Sequence, residues 1–100
     1  MEQATRPLDG VRVVELSIAI AAPSCGRMLS FFGAQVMKLE SQQYPDVARL
    51  FGSAWARTAE YASVFTDTSP YLPEMNAGKY SVGLNLKSPS AIEAAKRLVA

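Results

Sequence analysis

The chain has 100 residues, with ten Lys and Arg against nine Asp and Glu, no His, one Cys and 49% hydrophobic residues. A chain of this length holds one compact core at most, burying about two-thirds of the surface its unfolded form exposes. The net charge of +1, with signs interspersed, argues against a polyanion as the main partner, so neither nucleic acid nor an anionic membrane surface is expected. The lack of His excludes, within these residues, a Ser-His-Asp triad, a Cys-His pair and a His-ligated zinc site, and no metal site is expected. One Cys forms no internal disulfide, in keeping with a reducing compartment. No apolar run approaches the roughly 18 to 20 residues that span a bilayer. Residues 1–10 carry Glu2, Arg6 and Asp9 without an apolar core, unlike a secretory signal. The expected location is the cytoplasm.

In chain order, the turn signal Pro7-Leu-Asp-Gly10 precedes a β-rich run, residues 11–16, read as a strand. Cys25, Met28, Leu29 and Phe32 then recur at i, i+3, i+4 and i+7, the apolar face of a helix, which predicts a buried, inert Cys25 thiol. Pro23 suits the first turn of that helix and Gly33 its stop. Residues 35–40 read as a second strand, so strand, helix and strand form a βαβ unit with two parallel strands. From Ser41 to Gly78 periodicity is lost; a stretch this long is expected to hold a short helix across 54–65 or to form a functional lid. Val82, Leu84 and Leu86 alternate as in a third strand over 80–86. Ser88 as N-cap and Pro89 at the first position open a last helix, with Ser90 and Glu93 at capping-box spacing. Its apolar face is Ile92, Ala95 and Val99, and its wet face Glu93, Lys96 and Arg97. The pattern runs to Ala100 without a stop signal and reads as the opening segment of a longer chain. The fold class is α/β, a Rossmann-like open parallel sheet.

The turn after the first strand, residues 17–26, has one Gly, so it lacks the dinucleotide fingerprint. Ala19, Ala21 and Ala22 permit close approach of a ligand at the following helix N-terminus, or equally close helix-on-sheet packing, which the local features favour. Asn76-Ala-Gly-Lys79 resembles the end of a phosphate loop, but the earlier Gly is missing and Tyr80 stands where Ser or Thr would bind magnesium. Local features favour an ordinary turn with a solvated Lys79 over a phosphate site. Asp46 and Arg49, at i and i+3, are expected to pair or face solvent, with contact to substrate as the minor alternative.

The order of these blocks is more specific than any one of them. Pro7-Leu-Asp-Gly-Val-Arg-Val-Val-Glu-Leu-Ser17, Ala22-Pro23, Phe32-Gly-Ala-Gln-Val-Met-Lys-Leu-Glu40 and residues 76–89 together resemble the amino-terminal segment of family III CoA-transferases. That family includes formyl-CoA and carnitine CoA-transferases and α-methylacyl-CoA racemases. The resemblance covers the chain from Pro7 and is weakest over 41–75. It implies that residues 1–100 are the amino-terminal part of a CoA-binding domain, within an interlocked homodimer. It also implies transfer of CoA between carboxylic acids through an aspartyl-CoA intermediate, whose nucleophilic Asp lies beyond residue 100. By the same resemblance CoA and its thioesters are substrates, with no tightly bound cofactor and no catalytic residue in 1–100. Ala19, Ile20 and Ala21 map to one CoA-contacting loop, and Asn76, Ala77, Gly78 and Lys79 to a second, with Lys79 meeting a phosphate. Both loops are placed at one edge of the sheet, as a nucleotide crevice requires.

Ser41, Arg49 and Tyr80 are further candidates for CoA contact. Ser41 stands where the family often has a base after the second-strand Glu, and Tyr80 where Arg is common, so two cationic contacts are missing. Ile20 replaces a polar residue of formyl-CoA transferases, which argues against oxalate or formate and suits a larger, less polar acyl group. Racemisation next to a thioester, which needs an acid/base pair, and a non-catalytic assembly module are the alternatives.

Overall fold

The computed structural model describes residues 5–49 and 71–100. Three parallel strands form an open sheet in the order β1 (Arg12–Glu15), β2 (Gln35–Glu40) and β3 (Tyr80–Gly83). Helix α1 (Ala21–Phe31) links β1 to β2. A 3₁₀ turn (Val47–Arg49) and the short helix α2 (Tyr71–Asn76) precede β3, and α3 (Pro89–Val99) follows it. The α/β class and the parallel βαβ unit are as the sequence indicates. The helix expected over 54–65 lies outside the described residues.

Central β2 carries most of the core: Val36 is fully buried and Leu39 nearly so, joined by Ala34 and Ala48. Gly33 stops α1 in a left-handed conformation, φ +108, where only glycine fits, because a Cβ would meet Asp9 Oδ1 at 2.5 Å. The Leu8 amide donates to Phe32 O at 2.8 Å and so ties the amino-terminal turn to the end of α1.

Three expectations are corrected. First, α1 begins two residues before Pro23, and the residues it buries are Pro23, Gly26 and Ser30, while Cys25, Met28 and Phe32 are exposed. Periodicity marks an apolar stripe, but here the sheet beneath the helix presents charged side chains and accepts small residues instead. Second, β3 ends at Gly83, because Asn85 Oδ1 accepts from the Lys87 amide and Asn85 O from the Ser88 amide, turning the chain before Leu86 can pair. Third, Ser88 holds the N-cap position of α3 and Pro89 its first turn, but no capping box forms: Ser88 Oγ meets Ser90 Oγ at 2.9 Å, and Glu93 pairs with Lys96. Glu93, Lys96 and Arg97 are on the exposed side, as expected, but Ile92 and Val99 are exposed too. The Arg12 guanidinium donates to Ala100 O at 3.0 Å and brings the end of α3 to β1.

Candidate functional site

The parallel register sets Glu15 beside Lys38 on adjacent strands, with Ser81 next across the sheet. Neighbours in a parallel register share a face, and on this one four ionised side chains gather under α1. Lys38 Nζ lies 2.7 Å from Asp46 Oδ2 and 3.4 Å from Glu15 Oε2. Lys79 Nζ lies 2.8 Å from Glu15 Oε1. All four are buried, with Lys79 2% exposed and Asp46 wholly enclosed in their side chains. Two acids and two ammonium groups balance in charge, which is the condition for enclosing them at all. Glu15 Oε1 and Asp46 Oδ2 face their ammonium groups without an aligned hydrogen bond, so charge more than direction holds them.

The cluster also grips backbone. Lys38 donates to Ser17 O at 3.1 Å, Asp46 Oδ1 accepts from the Ala19 amide at 2.8 Å and the Ala48 amide at 2.9 Å, and Lys79 donates to Pro23 O at 2.8 Å. Ala19 sits at φ +67, a left-handed conformation that costs a non-glycine residue about 1 kcal/mol or more. Burial by itself raises the Asp46 pKa, but the Lys38 ammonium and the Ala48 and Ala19 amides outweigh it and hold the carboxyl below its ordinary value. Burial lowers the Lys79 pKa, against the opposing pull of Glu15.

These contacts revise two sequence expectations. Asp46 and Arg49 do not pair through their side chains: Asp46 meets Lys38, and Arg49 donates to Glu40 Oε2 at 2.8 Å, which holds the Glu40 carboxyl below its ordinary pKa despite partial burial. Lys79, expected at a phosphate or in solvent, is instead turned inward onto Glu15, Pro23 O and Asn76 Oδ1. The loop it belongs to enters the amino end of β3, whereas Ala19, Ile20 and Ala21 follow the carboxyl end of β1. The two loops therefore do not share one sheet edge. The second loop reaches the first turn of α1, where Lys79 meets Pro23 O, because the strands are staggered, Val14 and Tyr80 both lying level with Met37. Gly78, at φ +80, lets the loop close onto α1, where Ser30 Oγ donates to Ala77 O at 3.2 Å.

Arg49, Asn76, Lys79 and Tyr80 line a crevice of about 330 Å³. A second crevice, of about 360 Å³, opens where the three strands end, between Leu16–Ile18, Glu40–Ser41 and Leu84–Lys87. The carboxyl ends of parallel strands are where open α/β sheets hold ligands. Ser41 lies here, and so does a cation that no sequence motif marks: exposed Lys87, bonded to the Tyr44 hydroxyl and 4.3 Å from its ring centroid. No carboxylate pairs with Lys87 among the described residues. Its signal in the sequence is its place just past the third strand.

The family model for CoA-transferase family III matches residues 8–100. The chain belongs to CoA-transferase family III. It is 40% identical over 96 residues to the succinyl-CoA–L-malate CoA-transferase beta subunit of Chloroflexus aurantiacus, covering 96% of this chain and 22% of that one. It is 34% identical over 93 residues to the succinate–glutarate CoA-transferase of Agrobacterium fabrum, covering 93% and 22%. The crystal structure of a CAIB/BAIF family protein from Brucella suis superposes with a TM-score of 0.76 at 32% identity, covering 96% of this chain and 24% of that one. The chain thus spans about a fifth of the length of these family III relatives, and matches their amino-terminal segment. Among the described residues no helix is long and apolar enough to cross a membrane.

Proposed function

We propose that the full-length protein carrying this chain moves CoA between carboxylic acids, and that the crevice at the strand ends takes the nucleotide portion of CoA. The observation that supports this most is the convergence of Lys87, Ser41 and the segment after β1 at the carboxyl ends of three parallel strands. Lys87 offers an ammonium to a CoA phosphate and compensates for the uncharged Ser41. Ala19, Ile20 and Ala21 follow the same strand end and lead into α1, whose first-turn amides lack intrahelical partners. Ala77 and Gly78 present backbone from the second loop. With Lys79 occupied internally, the phosphate contact passes to Lys87.

Transfer is preferred to racemisation because the relatives named above are transferases. In this reading an Asp outside residues 1–100 attacks the acyl-CoA carbonyl and expels the CoA thiolate, and the thiolate then takes the aspartyl group as a thioester while the donor acid leaves. The active form is a homodimer. Succinyl-CoA, the donor in the name of the Chloroflexus relative, is the first to test, with dicarboxylic acids as acceptors.

Isothermal titration of CoA into the full-length protein is expected to show saturable binding, weaker for dephospho-CoA. No binding up to about 1 mM, an affinity of only about −4 kcal/mol, would overturn the reading.

A further inference from the structure

We propose that Asp46 is a positioning residue for CoA binding, which holds the loop between β1 and α1 in its ligand-ready shape by accepting the Ala19 amide. The inference rests on the functional reading above, in which Ala19, Ile20 and Ala21 meet CoA.

Asp46 lies 27 residues from Ala19 in the chain, in the irregular segment after β2, yet its Oδ1 is 2.8 Å from the Ala19 nitrogen. Ala19 is the one non-glycine residue at positive φ among the described residues. A backbone held against its own preference needs an external partner to stay there, and Asp46 is that partner. The carboxylate is itself immobilised: enclosed by protein, its Oδ2 is 2.7 Å from Lys38, its Oδ1 takes the Ala48 amide as well as that of Ala19, and the Asp46 amide donates to Glu40 Oε2 at 2.6 Å. Lys38 fixes Ser17 O on one side of Ala19, and Lys79 fixes Pro23 O on the other. Three side chains on separate segments thus hold the loop near its start, at Ala19, and in the first turn of α1 into which it leads. Ile18, next to the held amide, lines the strand-end crevice with Asp46 itself. Displacing the Ala19 amide therefore displaces both the crevice wall and the loop that follows it.

The test separates the hydrogen-bond acceptor from the charge. Asp46→Asn and Asp46→Ala both remove the charge, but only the amide side chain keeps an oxygen for the Ala19 N–H. Each is also made in a Lys38→Met background, so that a stranded ammonium does not prevent folding. In the folded full-length protein, Asp46→Ala is expected to weaken CoA binding about tenfold or more, in line with the cost of small misplacements in a site, and to accelerate hydrogen exchange at the Ala19 amide. Asp46→Asn is expected to hold affinity within about threefold of the parent and to keep Ala19 protected, since a neutral acceptor loses only part of a charge-assisted bond. Val36→Ala, at a buried position of β2 itself, is expected to lower stability without changing either readout. Equal losses in Asn and Ala, or Ala19 protection that survives Asp46→Ala, would overturn the proposal. Absence of CoA binding by the parent protein would overturn the functional reading instead, and the exchange at Ala19 would still decide whether Asp46 holds the loop.

Discussion

Gly26 and Glu15 share one space: a Cβ on residue 26 would lie 1.8 Å from Glu15 Oε1 and 3.1 Å from Lys79 Cε. The buried charges under α1 exist because the helix has no side chain at this point. Such a clash cannot be relieved by a flexible tip, because Glu15 is fixed by Lys79, Lys38 and the Ser17 hydroxyl.

Gly26→Ala is accordingly expected to destabilise the protein by about 2 kcal/mol, the scale of overpacking in a filled interior. In an exposed helix the same change would stabilise by about 1 kcal/mol through helix propensity, so the sign of the effect discriminates. Urea unfolding of the folded parent and variant measures it. A stabilised variant would show that α1 does not approach the sheet so closely.

The strands over 11–16 and 35–40 were legible because β-branched and apolar residues mark them and Gly10 and Gly33 punctuate them. What lies between strand and helix was not. Glu15, Lys38, Asp46 and Lys79 come from four separate segments, and no local pattern announces that four charges will meet in the interior. Read singly, each is a polar residue expected in solvent. The apolar stripe of Cys25, Met28 and Phe32 misdirected the helix for the same reason: periodicity reports which side is apolar, while the face that packs is the one where Gly26 lies over Glu15 and Lys79 and Ser30 bonds to Ala77 O. The sequence shows that Ala19, Ala21 and Ala22 are small, but not that residue 19 is held at positive φ, which depends on the distant Asp46. Lys87 was within reach of sequence reasoning, since the strand-end rule applies to any residue just past a parallel strand.

Acid is expected to destabilise the fold through Glu40 and Asp46. Arg49 bonding and the Asp46 amide depress the Glu40 pKa below its ordinary 4.5, against partial burial. In Asp46 burial is outweighed by Lys38 and two backbone amides, leaving it below its ordinary 3.8. A depressed carboxylate binds fewer protons in the folded than in the unfolded state, so its contribution is complete above the ordinary value and is lost as pH falls through the folded one. Urea midpoints should therefore decline as pH drops below about 4.5, the ordinary Glu40 value. Glu40→Gln should be less stable than the parent at neutral pH and converge with it in acid. A constant offset at every pH would refute the linkage.

Lys79 offers a choice between two roles with opposite signatures. If its ammonium met a phosphate, Lys79→Met would weaken CoA binding and leave stability near the parent's. The structure instead places it on Glu15, Pro23 O and Asn76 Oδ1 with a side chain 2% exposed. Breaking one partner of a buried pair costs about 3 to 5 kcal/mol, and a loss of that size is the expected result. Chemical denaturation with parallel CoA titration of the folded fraction distinguishes the two.

Lys87 carries the complementary expectation. It is exposed, held by the Tyr44 ring and hydroxyl, and stands at the mouth of the strand-end crevice. Lys87→Ala forfeits at most about 1 kcal/mol of cation–π and surface interaction, so the fold should tolerate it. The loss of one charge-assisted bond to a phosphate is worth about 1.5 to 3 kcal/mol, so the CoA dissociation constant should rise roughly tenfold to a hundredfold. Because exposed charges are screened by salt, the difference between parent and variant should shrink as ionic strength rises toward about 1 M. If the phosphate that Lys87 meets is the 3′-phosphate, the substitution should cost little with dephospho-CoA; if it is the pyrophosphate, the cost should be the same for both ligands. Unchanged affinity for CoA at low salt would remove Lys87 from the site and leave the crevice without its cation.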